Sequence, residues 1–469
     1  MRSCNGIVCR LGVLALLAGA SPAMALPITL KDSNGTRYNI NTAVDPLGLD
    51  SNASGAVTDA TFQKPVTVTS YFVGFTPFFG FTTVYTIQRQ VNVPLKNAFG
   101  GPASGFNGLL ISAVNGQNLP SPLPFNTGEN LASEECPQSG TNRQLVFPAQ
   151  NFPALNLQIT RKVFVPNNAE FLRWLNIITN TGATPMSVSA TLLGLLGSGD
   201  QTRVTGTSTG DSGLSSAVQW FTTAQQTPKG TFSLEPKLGF VVQGPGASPP
   251  PSVAINSLAR TVFTYTPFIE PGASAIVMTF VTVQGNTKQA KSTVQNLITL
   301  PAKAITCLTQ PELRQIVNFA PITPPVTKKA TIALNFKKPN ADKINWNGTI
   351  TIGAGLSLAG LPVTIDVGGA AQTFTLNKKG KANNGGGNKF SLQPKLKNGV
   401  TKAGNVKFSF QLKGDFTDDL ADDGLIDGSV KNLPVTVPAS FMAGTQSYVT
   451  EQAFTYTATE GKKGTAKSS

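Results

Sequence analysis

The chain has 469 residues, with 37 lysine and arginine side chains against 23 aspartate and glutamate side chains, and it contains no histidine. Without imidazole, the chain has no Ser-His or Cys-His catalytic pair, no histidine general base and no histidine metal ligand. Only 13% of the residues are charged, whereas 46 are glycine and 33 are proline, a composition typical of a turn-rich β protein.

The first 25 residues have the pattern of a secretory signal peptide. Arg2 and Arg10 form a basic start, residues 11–20 are apolar, and Ala23-Met24-Ala25 has the small-residue spacing of a cleavage site. This apolar run is about half of the roughly 20 residues that a membrane-spanning helix needs, and no later segment is long and apolar enough. We therefore expect cleavage near Ala25 and secretion to the periplasm or the extracellular space.

Residues 26–320 contain short β-branched and aromatic runs separated by Gly, Pro and Asn. Several runs alternate apolar and polar residues with a period of two, which indicates strands with one face in a core. The clearest are residues 66–72, 82–93, 155–165, 171–179 and 187–193. This pattern predicts a large domain of two packed sheets.

The cysteines predict one disulfide. Cys4 and Cys9 lie in the signal peptide, which leaves Cys136 and Cys307 in a compartment that permits oxidation. A bridge between them would close a loop of 171 residues. The alternative is two buried free thiols, and a nucleophilic thiol is disfavoured because no histidine can activate it.

One helix is predicted over residues 287–300, followed by Pro301, and a second short helix runs from Pro311 through Ile316. In the first helix, apolar side chains recur every three or four residues and so share one face. These residues are Ala290, Val294, Leu297 and Ile298.

A proline-rich segment, residues 321–329, is predicted to link the first domain to a second one over residues 330–469. Seven or eight alternating segments there predict a compact β-sandwich. No arginine follows Arg314, and from residue 326 onward 18 lysines face 10 acidic residues. The lysines lack the arginine and aromatic clusters of a nucleic-acid groove, so we expect solvated lysines or weak attraction to anionic envelope polymers, and no nucleic-acid partner.

Six aspartates form the densest acidic cluster and are the candidate metal site, for Ca²⁺, which takes six to eight oxygen ligands. The EF-hand spacing fails, because Ala421 and Val430 occupy positions where ligands are required. A helical turn with Leu420 and Leu425 packed inward and its carboxylates in water accounts for the same segment. The six residues are Asp415, Asp418, Asp419, Asp422, Asp423 and Asp427.

No catalytic residue is predicted. Two carboxylates suffice for glycoside cleavage without histidine, but Glu134 and Glu135 are adjacent and would face opposite sides of a strand. Trp174, Trp220 and Trp346 could stack on sugars, although aromatic residues at strand spacing are more typical of a core. We expect no cofactor, and calcium is the one ion that stays open as an alternative.

Three motifs in residues 157–200 carry a resemblance to a known kind of module: an Arg-Lys-aromatic-Val-Pro strand, a Phe-x-Arg strand and a Leu-Gly-Ser-x-Asp turn. The matching residues are Arg161, Lys162, Phe164, Val165, Pro166, Phe171, Arg173, Leu196, Gly197, Ser198 and Asp200. They resemble a β-supersandwich module of bacterial secreted and surface proteins, similar in shape to the galactose mutarotase fold. The lysine-rich second domain is similar to β-sandwich repeats at the ends of such proteins. Mutarotases depend on histidine and glutamate, so the resemblance implies shape alone.

The sequence thus predicts an all-β protein, a large two-sheet supersandwich followed by a smaller β-sandwich, with one or two short helices near residues 287–316. The predicted function is a secreted, non-catalytic structural or binding module at the cell envelope or in the extracellular space. Two alternatives stay open: a carbohydrate-binding protein or histidine-free carboxylate glycosidase, and a calcium-dependent adhesion protein. The expected partner is envelope polysaccharide or another surface protein.

Overall fold

The structure is a computed structural model. It describes residues 27–42, 54–75, 82–95, 98–99, 105–127, 133–138, 141–227, 230, 235–247, 249–319, 322–444 and 446–468. The predicted signal peptide, residues 1–25, lies outside the described residues.

The predicted all-β class is confirmed, with 56% of residues in strands and 8% in helices. The strands up to residue 284 are β1 (Ile28–Lys31), β2 (Arg37–Ile40), β3 (Val57–Phe75), β4 (Thr82–Leu95), β5 (Phe106–Val114), β6 (Gln117–Pro124), β7 (Ser133–Gln138), β8 (Thr141–Phe152), β9 (Leu157–Phe164), β10 (Leu172–Asn180), β11 (Met186–Leu195), β12 (Thr202–Thr207), β13 (Trp220–Gln225), β14 (Lys237–Val241), β15 (Ser252–Ile255), β16 (Arg260–Tyr265), β17 (Phe268–Ile269) and β18 (Ser274–Gln284).

These strands form two antiparallel sheets that pack face to face. The first runs β1-β2-β3-β5-β11-β16-β15, with β4, β6 and β17 paired at its sides, and the second runs β12-β13-β14-β18-β10-β9-β8-β7. Phe106 of the first sheet contacts Trp174 and Phe240 of the second, with ring centroids 5.9 and 5.5 Å apart. Alternation places such side chains inside: β9 has buried residues at every second position along most of its length.

Three helices follow the second sheet: α1 (Thr287–Leu297), α2 (Ala302–Ile305) and α3 (Gln310–Gln315). The Asn286 side chain caps α1 by accepting from the amide of Gln289, and Ala290, Val294 and Leu297 are buried, as predicted. Helix α1 packs so closely on β14 that a Cβ on Gly239 would lie 2.6 Å from Val294. Glycine is therefore required at that contact.

The C-terminal strands are β19 (Val326–Leu334), β20 (Asp342–Ile352), β21 (Pro362–Val367), β22 (Ala370–Thr375), β23 (Lys381–Asn383), β24 (Lys389–Gln393), β25 (Leu396–Lys397), β26 (Val400–Thr401), β27 (Gly404–Gly414), β28 (Val430–Ala443), β29 (Gln446–Thr459) and β30 (Lys463–Ser468), with helix α4 (Thr417–Leu420) before β28. Strand β19 begins within the segment predicted as a linker.

Ten of these strands form one nearly barrel-like sheet in the order β22-β21-β28-β29-β30-β19-β20-β27-β24-β23. Its inner face packs on itself: Trp346 on β20 lies 5.8 Å from Phe454 on β29, and Phe408 on β27 lies 5.1 Å from Phe441 on β28. Helices α2 and α3 contact β28 and β29, which joins this sheet to the preceding part of the chain.

Candidate functional site

The outer face of the C-terminal sheet carries a dense array of lysines. Side chains alternate between the two faces of a strand, so every second residue of β27 is exposed or half-buried while the residues between them are buried. The strand register places the outward residues of six neighbouring strands side by side. We define the outward positions of β19, β20, β23, β24, β27 and β30 as the lysine face. Lys463 also points outward from β30, but it lies beyond the end of β19 and is not counted in the array. The seven lysines of the array are Lys329, Lys343, Lys381, Lys389, Lys407, Lys413 and Lys467.

No acidic side chain lies on this face. The six strands contain one acidic residue, Asp342, which is 1% exposed and accepts hydrogen bonds from the amides of Asn335 and Phe416 at 2.7 and 2.8 Å. In the part of the chain that the structure describes, none of the seven lysines has a carboxylate oxygen within 4 Å. Their remaining neighbours on the face are mainly Ser, Thr, Asn and Gln, which leaves the positive charge uncompensated.

A groove of about 710 Å³ lies on the lysine face at β23, β24 and β27. The groove lies at the edge of the sheet, because β23 is one of its two terminal strands. The other terminal strand, β22, contacts β23 there. Two lysines line it together with amide and hydroxyl side chains. These residues are Lys381, Lys389, Asn377, Asn383, Gln411, Ser391 and Ser409.

The six aspartates of the predicted calcium segment are divided by the structure. Leu420 and Leu425 are fully buried, as the helical turn predicts. The carboxylates are not all in water, however: three of the aspartates are exposed and three are half-buried against the preceding part of the chain. The exposed ones are Asp415, Asp418 and Asp427, and the half-buried ones are Asp419, Asp422 and Asp423.

The half-buried aspartates surround Lys303 of α2, together with Asp366 of β21. Burial raises the pKa of Asp366, Asp419, Asp422 and Asp423, and the Lys303 ammonium opposes this shift in each case. One lysine thus faces four carboxylates, and burial outweighs its effect on the pKa of each.

Asp423 is the most constrained of these side chains. Its Oδ2 is buried and has no hydrogen-bond partner among the described residues, and a Cβ on Gly368 would lie 2.2 Å from it. Gly368 has φ 58° in the turn between β21 and β22, where glycine is the favoured residue. Within the described chain, no group of three or more acidic or cysteine residues is arranged to hold a metal ion.

Cys136 and Cys307 form a disulfide, with their Cα atoms 5.9 Å apart. It borders an acidic cleft of about 760 Å³ between the α2–α3 loop and β28, which Asp422, Asp423 and Glu451 also line. Burial raises the pKa of Glu451, while its hydrogen bond from the Cys307 amide and the nearby Arg173 charge lower it. The cleft therefore combines a disulfide with carboxyl groups whose pKa values are raised by burial.

Two arginines of the motifs in residues 157–200 are fully buried and serve the fold. Arg161 donates to the carbonyl of Ser54 at 3.1 Å and to Asn107 Oδ1 at 2.7 Å. Arg173 donates to the carbonyls of Ala304 and Thr306 at 2.7 and 2.9 Å. Burial lowers the pKa of each guanidinium to about 9. Arg161 therefore ties the second sheet to β5 and to the segment before β3, and Arg173 ties it to the end of α2.

Sequence reasoning missed Glu451 as a member of the acidic cleft, and it missed Lys303 and Asp366 as neighbours of the half-buried aspartates. Each of the three is isolated in the sequence and meets its partners only through the tertiary fold. The face lysines did carry a signal: residues 407 and 413 share the parity of the outward positions on one strand. Among the described residues, no helix is long and apolar enough to cross a membrane.

No protein-family model matches the sequence, and no curated protein matches it. Similar solved structures include a polysaccharide lyase, at 10% identity and TM-score 0.30. The alignment covers 89% of this chain and 45% of the lyase, so this chain spans less than half of the lyase's length. A galactose mutarotase-like protein from Lactobacillus casei has 10% identity and TM-score 0.30, over 55% of this chain and 100% of its own. The Slr1438 protein from Synechocystis sp. has 12% identity and TM-score 0.28, over 56% and 96%. The mutarotase-like shape predicted from the motifs is thus represented among the structural neighbours, while TM-scores this low carry no argument about activity.

Proposed function

We propose that this protein is a secreted, non-catalytic binding module that holds an anionic polymer of the cell envelope or the extracellular space on its lysine face. The observation that carries the proposal is the array of seven lysines with no acidic residue among them. A disulfide also fits a non-reducing compartment. In this proposal the N-terminal sheets and the C-terminal sheet are two domains, and the lysine face belongs to the second.

The spacing of the array makes the lysines act together. Lys343 and Lys413 lie directly opposite each other on neighbouring strands, about 5 Å apart, and Lys381 and Lys389 are diagonal neighbours, about 7 Å apart. Both distances are shorter than the Debye length of about 8 Å at physiological ionic strength, so the fields of adjacent ammonium groups overlap. A polymer with repeated negative charges would relieve this repulsion and release its counterions on binding.

The face is unsuited to sequence-specific recognition of nucleic acid. It has no arginine, the residue that pairs with phosphate and guanine in a bidentate manner. The aromatic residues of its strands, including Trp346, Phe408 and Phe410, are buried and cannot stack on bases. An extended polymer held by point charges fits the face better.

The experiment compares the full chain with two charge-matched quadruple variants. One replaces Lys329, Lys343, Lys407 and Lys413 on the face with Gln. The control replaces four exposed lysines elsewhere, which are Lys288, Lys338, Lys402 and Lys431. Binding to immobilised dextran sulfate and polygalacturonate is measured between 50 and 300 mM salt.

We expect the face variant to lose about tenfold or more in affinity at low salt and to show a shallower salt dependence, because it releases fewer counterions. The control should stay within about twofold of the unmodified chain. Equal losses in both variants would show that net charge alone drives binding, and the proposal would then fail.

A further inference from the structure

We propose that the groove at β23, β24 and β27 is a subsite that recognises a uronic acid unit of an acidic polysaccharide. This inference rests on the proposed function and specifies its ligand. The groove differs from the rest of the lysine face because it combines two cations with neutral hydrogen-bonding side chains in a concavity of about 710 Å³.

The two lysines are placed to share one carboxylate. Lys381 pairs with Ser391, and Asn383 pairs with Lys389, so the two lysines are diagonal neighbours on adjacent strands. Such positions are about 7 to 8 Å apart, within reach of long side chains. Two ammonium groups can therefore converge on a single carboxylate above the groove.

The amide side chains of the groove are each held at one end. Asn377 Oδ1 accepts from the amide of Lys381 at 3.2 Å, Asn383 Oδ1 accepts from the amide of Gly385 at 3.1 Å, and Gln411 Nε2 donates to the carbonyl of Gly387 at 2.7 Å. Within the described chain, the other amide atom of each side chain accepts or donates no hydrogen bond. These bonds fix the amides before a ligand arrives, which lowers the entropic cost of binding.

Ser391 gives a second, independent indication. Its Oγ is buried and has no hydrogen-bond partner among the described residues, although it lines the groove. A buried hydroxyl without a partner is unfavourable, and buried polar groups are nearly always satisfied by protein, water or ligand. A sugar hydroxyl, which both donates and accepts, would satisfy it.

The combination selects a sugar acid over a phosphate polymer. Amides and hydroxyls match the hydroxyl groups of a sugar ring, whereas a polyphosphate has acceptor oxygens and no hydroxyl-rich ring. Charge alone would bind both polymers.

The test uses trigalacturonate, tripolyphosphate and neutral maltotriose as soluble probes against the full chain, measured by titration calorimetry. The groove variants are Ser391→Ala and the double variant Lys381→Gln with Lys389→Gln. Asn345→Ala is the control, because Asn345 lies on the lysine face outside the groove. Thermal melting confirms that each variant folds.

We expect trigalacturonate to bind more tightly than tripolyphosphate, and maltotriose to bind weakly. Ser391→Ala should weaken trigalacturonate binding about tenfold, the loss that one hydrogen bond explains, and leave dextran sulfate binding to the face unchanged. Equal binding of trigalacturonate and tripolyphosphate, or an unchanged Ser391→Ala variant, would overturn the subsite. After either result, the proposed function still holds if polymer binding requires the face lysines outside the groove. If the chain binds no anionic polymer at all, the subsite and the proposed function both fail.

Discussion

The backbone amide of Cys307 donates a hydrogen bond of 2.8 Å to Oε1 of Glu451, a residue 144 positions later in the chain. This bond joins the α2–α3 loop to β29 directly beside the disulfide. Lys162 and Glu312 add an ion pair of 3.1 Å on the same side of the acidic cleft. Of these three contacts, only the Cys307–Glu451 hydrogen bond reaches the C-terminal sheet. The disulfide and the ion pair fix the α2–α3 loop and α3 on β7 and β9 of the second sheet, and so hold the surface on which β29 docks.

The disulfide is expected to stabilise the fold strongly. It closes a loop of 171 residues, for which the chain-entropy model gives about 5 kcal/mol at most. Cys136→Ser should therefore lower the melting temperature in the absence of reductant, and the unmodified chain should show the same loss when reduced. Mass spectrometry without reductant checks the linkage itself: free-thiol labelling of both cysteines under denaturing conditions would contradict it.

Asp423→Asn should stabilise the protein at high pH and leave it unchanged at low pH. The folded state raises the pKa of Asp423 through burial, so it retains a proton that the unfolded chain releases above about pH 4. The free energy of unfolding therefore falls as pH rises above this value. Asp366, Asp419, Asp422 and Glu451 add to the effect, and Lys303 opposes it.

Urea unfolding at pH 4 and pH 8 measures this difference. The control is Asp418→Asn, which removes an exposed carboxylate from the same segment. If Asp418→Asn and Asp423→Asn change the free energy of unfolding equally at pH 8, the buried carboxyl group is not the source of the pH dependence.

Asp32 should titrate close to neutrality. Burial raises its pKa to about 7, although the amide of Thr36 and the hydroxyl of Tyr38 donate to its carboxylate at 2.9 and 3.1 Å. A shift of about three units corresponds to roughly 4 kcal/mol of stability that is present below pH 4 and is lost as pH rises to 7. Carboxyl NMR on the unmodified chain and on Asp32→Asn should show one resonance with a midpoint near 7 that the variant lacks; a midpoint near 4 would contradict the burial.

Calcium should not change the thermal stability. The described carboxylates do not converge on a metal-sized site, and Ca²⁺ needs six to eight oxygen ligands. Melting temperatures in excess calcium and in excess chelator should agree, because only a ligand bound to the folded state raises the transition. A rise of several degrees with calcium would instead support the calcium-dependent adhesion alternative for the segment of Asp415 to Asp427.

Local patterns predicted the elements well because their causes are local. The apolar periodicity of residues 287–300 marks the buried face of α1, and the alternation of residues 187–193 marks β11. The same alternation gives only the inward or outward direction of each side chain. It could not show that ten C-terminal strands form one nearly closed sheet, since strand order depends on pairing between distant segments.

For the candidate sites too, local features could be predicted from the sequence and contacts between distant segments could not. The turn that buries Leu420 and Leu425 was predictable, but the half-burial of Asp422 and Asp423 was not, because it depends on α2 more than 100 residues earlier. The lysines could be counted in the sequence. That they lie together on one face depends on the strand register, which places Lys343 opposite Lys413 and Lys407 opposite Thr349. The sequence alone does not give this register.

The most direct test of the central claim is lysine footprinting of the full chain. An amine-reactive acetylating reagent is applied with and without dextran sulfate, and the modification of each lysine is read by mass spectrometry. The account predicts that Lys329, Lys343, Lys381, Lys389, Lys407, Lys413 and Lys467 are protected several-fold, while Lys288 and Lys431 react as before. Uniform protection of all lysines, or protection centred outside the C-terminal sheet, would contradict the lysine face as the binding surface.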